Sequence, residues 1–216
     1  MIRSHRKSLG LTIERDGSVI LRAPVDCPDA AADTFFQEKK FWIYQKLAEK
    51  RLHEGDIPVK EYVNGEGFEY LGRTYQLVLV DSGPPLRLYR GRFEMRRDCA
   101  KKGKEVFIAW YKEHAEKIIR ERIQIYQPRI SDLVKGIRVM DLKYRWGSCT
   151  SKHNLNFHWK MILTPMRIVD YIIVHELTHM IEKNHTPAFW HNIGLILPDY
   201  EVRKEWLDKN GKKIEI

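Results

Sequence analysis

Thr164-Pro165-Met166-Arg167-Ile168-Val169-Asp170-Tyr171-Ile172-Ile173-Val174-His175-Glu176-Leu177-Thr178-His179 is the stretch on which the fold turns. Thr-Pro is a helix start signal, with Thr capping and Pro at the first helical position. The residues that follow are apolar nearly all round, which predicts a buried helix. The spacing extends it to about Lys183, with Asn184 suited to the left-handed position that closes a helix. Residues four apart on a helix lie about 40° apart around its axis. His175 and His179 therefore point to the same side and can share one metal ion. Glu176 stands beside that ion without being needed as a ligand. Burying Glu176 and two histidines in an apolar helix is costly unless they are paired or metal-bound. Zinc hydrolases use this arrangement: two helical ligands, a carboxylate base beside them and a third ligand from elsewhere.

The spacing leaves the third ligand open. His185 lies six residues after His179, just past the expected helix end. Glu201, Glu205 and His191 are the alternatives. Enzymes with His-Glu-x-x-His-x-x-Gly-x-x-His share the six-residue spacing but place glycine where this chain has Glu182. They also carry a methionine turn downstream, and Met180 is the last methionine here. The chain is thus set apart from that group. With three protein ligands and one open position, the expected chemistry is hydrolysis of a peptide or related amide, with Glu176 as general base.

Upstream of the helix, Ile137–Tyr144 and Leu155–Leu163 alternate as strands, separated by a turn-like segment at 146–153. The second places Leu155, Phe157, Trp159 and Met161 on one side and Asn156, His158 and Lys160 on the other. An exposed edge on it would pair with an extended peptide. Downstream, Thr186-Pro187 repeats the start signal for a short helix carrying Phe189, Trp190 and Ile193. A last helix follows Pro198 and ends near Asn210-Gly211.

At Arg145-Trp146-Gly147-Ser148-Cys149, Asn156-Phe157, Trp159, Tyr171, His175-Glu176-Leu177, His179, Asn184-His185 and Phe189-Trp190 the sequence resembles the YgjP-like zinc metallopeptidases, a family related to the SprT-like proteins. The resemblance implies zinc held by His175, His179 and His185, with Glu176 catalytic. The fold expected is α+β, a zincin-like (minigluzincin-type) catalytic domain whose active-site helix packs on a β-sheet, preceded by a β-rich N-terminal region. Some members of the family have been labelled nucleotide pyrophosphatases. Cys149 reads as a structural cysteine in the turn rather than as a nucleophile paired with His153. Arg145 and Trp146 read as residues that hold the hairpin to the metal helix. Tyr171, Tyr200 and His191 are candidates for stabilising an oxyanion.

The N-terminal half divides as follows. Leu9, Leu11 and Ile13 alternate, Asp16-Gly17 is a turn pair, and Val19 and Leu21 resume the pattern up to Pro24. One helix follows, with Pro28, Asp29 and Asp33 at its start and Ala32, Phe36, Ile43 and Leu47 on its buried face. It is broken at Glu54-Gly55-Asp56. Residues 60–98 read as sheet, with turns at Leu71-Gly72-Arg73 and Gly83-Pro84-Pro85. Lys101-Lys102-Gly103-Lys104 is a polar break, which places a boundary between a region 1–104 and a catalytic domain 105–216. The latter opens with a helix over 105–127 whose stripe is Phe107, Tyr111, Ala115, Ile118 and Ile125, ended by Pro128.

The composition excludes other classes. Of 216 residues, 43% are hydrophobic and 31% charged, as in globular proteins. No apolar run approaches the roughly 18 residues of a membrane span. The basic N-terminus lacks the apolar core of a secretory signal. Three widely spaced cysteines argue against a disulfide framework, so a cytoplasmic protein is expected. The net charge is +9. Eight basic residues crowd one run: Arg87, Arg90, Arg92, Arg96, Arg97, Lys101, Lys102 and Lys104. Its functional reading is contact with nucleic acid or another polyanion; its bland reading is a solvated hairpin. The expected function is therefore a zinc-dependent peptidase acting on a peptide or protein. The alternatives are a metal-dependent nucleotide pyrophosphohydrolase and a DNA-associated protease docked through the run 87–104.

Overall fold

The computed structural model describes residues 1–6, 8–13, 18–53, 59–130, 132–142, 145–214 and 216. The chain forms two compact units, Met1–Ile57 and Pro58–Ile216. In the first, β1 (Ile2–Ser4), β2 (Gly10–Ile13) and β3 (Val19–Pro24) make a sheet in the order β1-β3-β2. The β2–β3 pair is antiparallel, as the alternation predicts, and β1 adds in parallel to β3. The Asp16-Gly17 pair and the Glu54-Gly55-Asp56 break lie outside the described residues. The expected single helix is two, α1 (Asp29–Glu38) and α2 (Lys40–His53), divided at Lys39. Ala32 and Ile43 are buried as expected, while Phe36 and Leu47 are half-buried or more open.

In the second unit β4 (Gly67–Tyr70), β5 (Arg73–Val80), β6 (Leu86–Tyr89) and β7 (Arg92–Arg96) form a sheet in the order β4-β5-β7-β6. The long helix α3 (Gly103–Tyr126) lies on it. The Phe68 and Phe107 rings stack at 3.9 Å, and Phe93 meets Phe107 edge-on at 5.1 Å. The buried stripe of α3 is Phe107, Trp110, Tyr111, Ala115, Ile119, Ile123 and Tyr126; Ile125 is exposed. The compact units therefore divide at Ile57 and Pro58, not near Lys104. The polar run at 101–104 looked like a linker because its side chains are solvated. The aromatic faces on either side of it nonetheless share one core.

A second sheet, β8 (Gly136–Met140), β9 (Gly147–Cys149) and β10 (Asn154–His158), has the order β8-β10-β9. Lys143-Tyr144, the expected end of the first strand, lies outside the described residues. The second strand ends at His158, earlier than expected, and passes into a 3-10 helix over Trp159–Leu163. His158 Nδ1 accepts from the Lys160 backbone at 3.1 Å and starts that turn. α4 (Met166–Thr178), α5 (Pro187–Ile196) and α6 (Tyr200–Asn210) complete the unit. The result is an α+β fold with its helix α4 against β9 and α3.

Two contacts seat α4. At the β4–β5 turn, Leu71 and Gly72 take positive φ of 50° and 75°. Their amides donate to the Ile162 and Leu163 carbonyls at 2.8 and 3.3 Å, just before α4 begins. From α3, Arg122 grips the Asp170 carboxylate with Nε at 2.6 Å and Nη2 at 2.8 Å. Asp170 is buried, and losing it strands a cation that is itself only a quarter exposed. Asp170→Ala is expected to lower unfolding free energy by about 2–3 kcal/mol, read as a reduced urea midpoint. Among the described residues, no helix is long and apolar enough to cross a membrane.

Candidate metal centre

α4 delivers two of the three expected ligands, though differently from the sequence expectation. Pro165, not Thr164, is the last residue before the helix, and Thr164 Oγ1 instead bonds back to the Met161 carbonyl at 2.8 Å. The helix stops at Thr178, and Asn184 does not take the left-handed conformation. Two side chains bond to backbone carbonyls at this end. Thr178 Oγ1 bonds back to the Val174 carbonyl at 2.8 Å. His179 turns its Nδ1 to the Glu182 carbonyl at 3.1 Å. Continuing to Lys183 would have carried the chain about 7 Å further along the axis. Leaving early lets it reverse within a short loop and return His185 to the helix. Thr186 then caps α5, accepting from the Phe189 amide at 3.3 Å with Pro187 first in the helix, as expected.

The ligating atoms of His175, His179 and His185 lie within 4.8 Å of one another. His175 Nε2 and His185 Nε2 face each other at 3.0 Å. Phe189 is fully buried beneath them, its ring 5.0, 4.6 and 4.7 Å from those of His175, His179 and His185. Trp190 stacks on His185 at 5.5 Å and on Tyr200 at 5.7 Å. The loop histidine is thus held by an aromatic pile as well as by the backbone. Glu201 and Glu205, the alternative ligands, line a separate groove with Trp190 and Tyr200. His191 is not part of the cluster.

The electrostatics suit a cation. Burial lowers the His175 pKa to about 3, helped by its two histidine neighbours and Lys204. Burial also lowers that of His179, against the Glu182 carbonyl bond. Both are therefore neutral at pH 7 and offer lone pairs. A Nδ1–H donated to Glu182 leaves Nε2 of His179 as the free acceptor, the usual way an outer carbonyl orients a ligand. His175 Nδ1 is buried without a hydrogen-bond partner. Three imidazoles at this spacing fit zinc or a similar divalent ion.

Glu176 is 6% exposed and borders the same cleft of about 590 Å³ as the three histidines. Burial raises its carboxyl pKa to about 8, with Arg145 opposing. Its Oε2 has no hydrogen-bond partner. The cleft's other wall is β9, with Gly147, Ser148 and Cys149, and the turn after it. Burial pushes the Cys149 thiol up to about 11, seconded by Glu176, so it is no thiolate nucleophile. Tyr171 borders the cleft, its phenol pushed well up by burial.

The family model for the YgjP-like metallopeptidase domain matches residues 7–210. The chain belongs to the YgjP-like metallopeptidase family. As a YgjP-like protein it is a metal-dependent hydrolase of the peptidase kind. No curated protein matches it. Among solved structures, the metallopeptidase zymogen abylysin of Pyrococcus abyssi is similar at 20% identity. That likeness covers 44% of this chain and 90% of abylysin at a TM-score of 0.35, too low to carry an argument.

Within this YgjP-like chain, the basic run 87–104 takes no part in lining the cleft. Arg87 and Arg92 both bind the buried Glu94, Arg96 binds Asp98 and Arg97 binds Asp81. Arg90 packs on the Tyr89 ring at 5.1 Å. Sequence reasoning counted charges and had no access to these pairings. It also missed Phe189 as the floor of the centre, and Gly147. A methyl placed on Gly147 would lie 2.6 Å from Glu176 Cγ. Within a segment that reads as a turn, a glycine gave no signal of this role.

Proposed function

We propose that the chain is a zinc-dependent peptidase in which His175, His179 and His185 hold the ion and Glu176 is the general base. The observation that carries this reading is the convergence of three imidazoles within 4.8 Å beside a buried carboxyl. When bound, zinc supplies Lewis acidity, drawing the pKa of a water toward neutrality and polarising a carbonyl. The rest falls to the chain's own side chains. Glu176 accepts the proton of the attacking water on a carboxylate oxygen and returns it to the departing amine. Phe189 and Trp190 keep water from the back of the histidines.

A peptide fits the cleft better than a nucleotide does. β9 is an edge strand: it pairs with β10 only, leaving its other side unpaired among the described residues. The expected edge on the 155–163 strand is not available, because β10 lies between β8 and β9. An extended peptide adding to β9 would gain backbone hydrogen bonds with little sequence selectivity. The cations Arg145 and Lys183 also border the cleft. Of the run 87–104, Arg90, Lys101, Lys102 and Lys104 have no acidic partner among the described residues and are what a polyanion would meet.

The test is digestion of casein and of a peptide library by the purified protein, with and without chelator. Cleavage is expected to stop when metal is stripped and to return on adding one equivalent of zinc. A chelator-insensitive activity, or hydrolysis of nucleoside polyphosphates alone, would replace this reading.

A further inference from the structure

Gly147 is not a turn glycine. Its φ is not positive, so any residue could adopt its backbone. It sits in the ladder opposite Phe157, inside β9. What sets it apart is proximity. A Cβ at Gly147 would lie 2.6 Å from Glu176 Cγ, 2.7 Å from Oε1 and 2.8 Å from Cδ. Carbon atoms in good contact are about 3.5–4.0 Å apart. The conflict therefore involves the arm of Glu176 at Cγ and Cδ and not only its tip at Oε1.

Neither backbone is free to retreat. β9 is fixed on one side by its antiparallel pairing with β10, and the His158 amide donates to the Trp146 carbonyl at 2.8 Å. β10 is in turn paired along its length with β8. On the other side, Val174 and Leu177 of α4 are fully buried. Among the described residues no hydrogen bond anchors Glu176 Oε2. The Glu176 arm packs directly against the bare backbone of Gly147.

We propose that Gly147 is a positioning residue: the absence of a side chain there leaves the volume in which the Glu176 arm reaches the histidine cluster. This rests on the reading of Glu176 as general base. A consequence concerns β9 as the substrate edge. The residue at which a bound peptide would run closest to the base is the one that presents bare backbone.

The experiment measures Gly147→Ala by itself and in a Glu176→Ala background. Alanine at 176 removes Cγ, Cδ and both carboxyl oxygens, the atoms that a methyl at Gly147 would meet. Gly147→Ala alone is expected to lower kcat roughly 100-fold, the usual cost of misplacing a reacting group by about 1 Å. Bound metal should stay at the wild-type level, and KM within a few-fold. Melting of chelator-treated protein gives a readout independent of turnover. Gly147→Ala should lower Tm by roughly 2–10 °C, as overpacking does, and should leave Tm unchanged in the Glu176→Ala background, because the two residues share one volume.

Wild-type kcat in Gly147→Ala, or equal losses of Tm in both backgrounds, overturns the proposal. So does failure of both Gly147→Ala variants to fold, since the methyl would then clash with more than the Glu176 arm. Full activity in Glu176→Gln would instead remove the general-base reading, while the coupling in Tm would still show the shared volume.

Discussion

Glu176→Gln is expected to reduce peptide turnover by about 10²–10⁴-fold while the protein keeps its metal. The amide is nearly isosteric with the carboxyl, so packing against Gly147 is retained and only the proton acceptor is lost. Metal analysis beside single-turnover cleavage checks both halves. The same substitution should have the opposite effect on stability. Burial raises the carboxyl pKa of folded, metal-free protein from 4.5 to about 8. Between those values the folded state holds a proton that the unfolded state has released, so stability falls as pH rises through the window. Above about pH 8 the whole penalty is present, on the order of 5 kcal/mol. Glutamine has no such penalty. Chelator-treated Glu176→Gln is thus expected to exceed wild type in urea midpoint at pH 9 and to match it near pH 4. A gap that did not widen with pH would contradict this.

The histidines slope the other way and do not obscure that comparison. His175 is lowered to about 3 from 6.5 in the folded state. Below pH 6.5 the unfolded chain therefore binds the extra proton, and stability falls as pH drops. At pH 9 His175 is neutral in both states and contributes nothing to the difference.

His185→Ala is expected to have the largest effect on metal content. It removes one of three donors, so affinity should fall by more than the roughly 10–100-fold that losing an outer hydrogen-bond partner costs. The protein should still fold, because His185 is exposed and its loop is bounded by the intact cap at Thr186. Competition with a coloured chelator measures the loss, and circular dichroism checks the fold. Glu201→Ala and Glu205→Ala are the useful contrast: their groove lies beyond Trp190, and neither should release metal. Retention of metal by His185→Ala would mean that a different third ligand completes the site.

Much of this centre is legible in the chain because its signals are local. The four-residue spacing of His175 and His179 fixes their common face whatever the helix packs on. The two Thr-Pro pairs marked helix starts to within two residues, and β-branched and aromatic runs marked β4, β5 and β7. What was illegible depends on partners distant in sequence. At the end of α4 side chains turn back on carbonyls, which residue preference at Asn184 did not reveal. Alternation continued past His158, yet β10 stops there because the chain must turn beneath α4. The strand at 147–149 was hidden in a segment rich in turn residues, since three residues are too few to show a period. Charge counting at 87–104 overstated the free positive charge, because Glu94, Asp98 and Asp81 neutralise arginines of that run.

The docking of the β4–β5 turn under the start of α4 has a consequence for how this enzyme can be cut or recombined. The amides of Leu71 and Gly72 close the last carbonyls before the helix, and a methyl on Gly72 would lie 2.8 Å from Pro165. The hairpin is thus a foundation stone of the catalytic half, not an appendage to be trimmed away. A fragment beginning at α3 would expose the aromatic face of that helix and leave the metal-bearing helix without its footing. Proteolytic loss of residues 59–104 would then extinguish the enzyme rather than release it, and chimeras of this family should exchange the hairpin and the catalytic helix together.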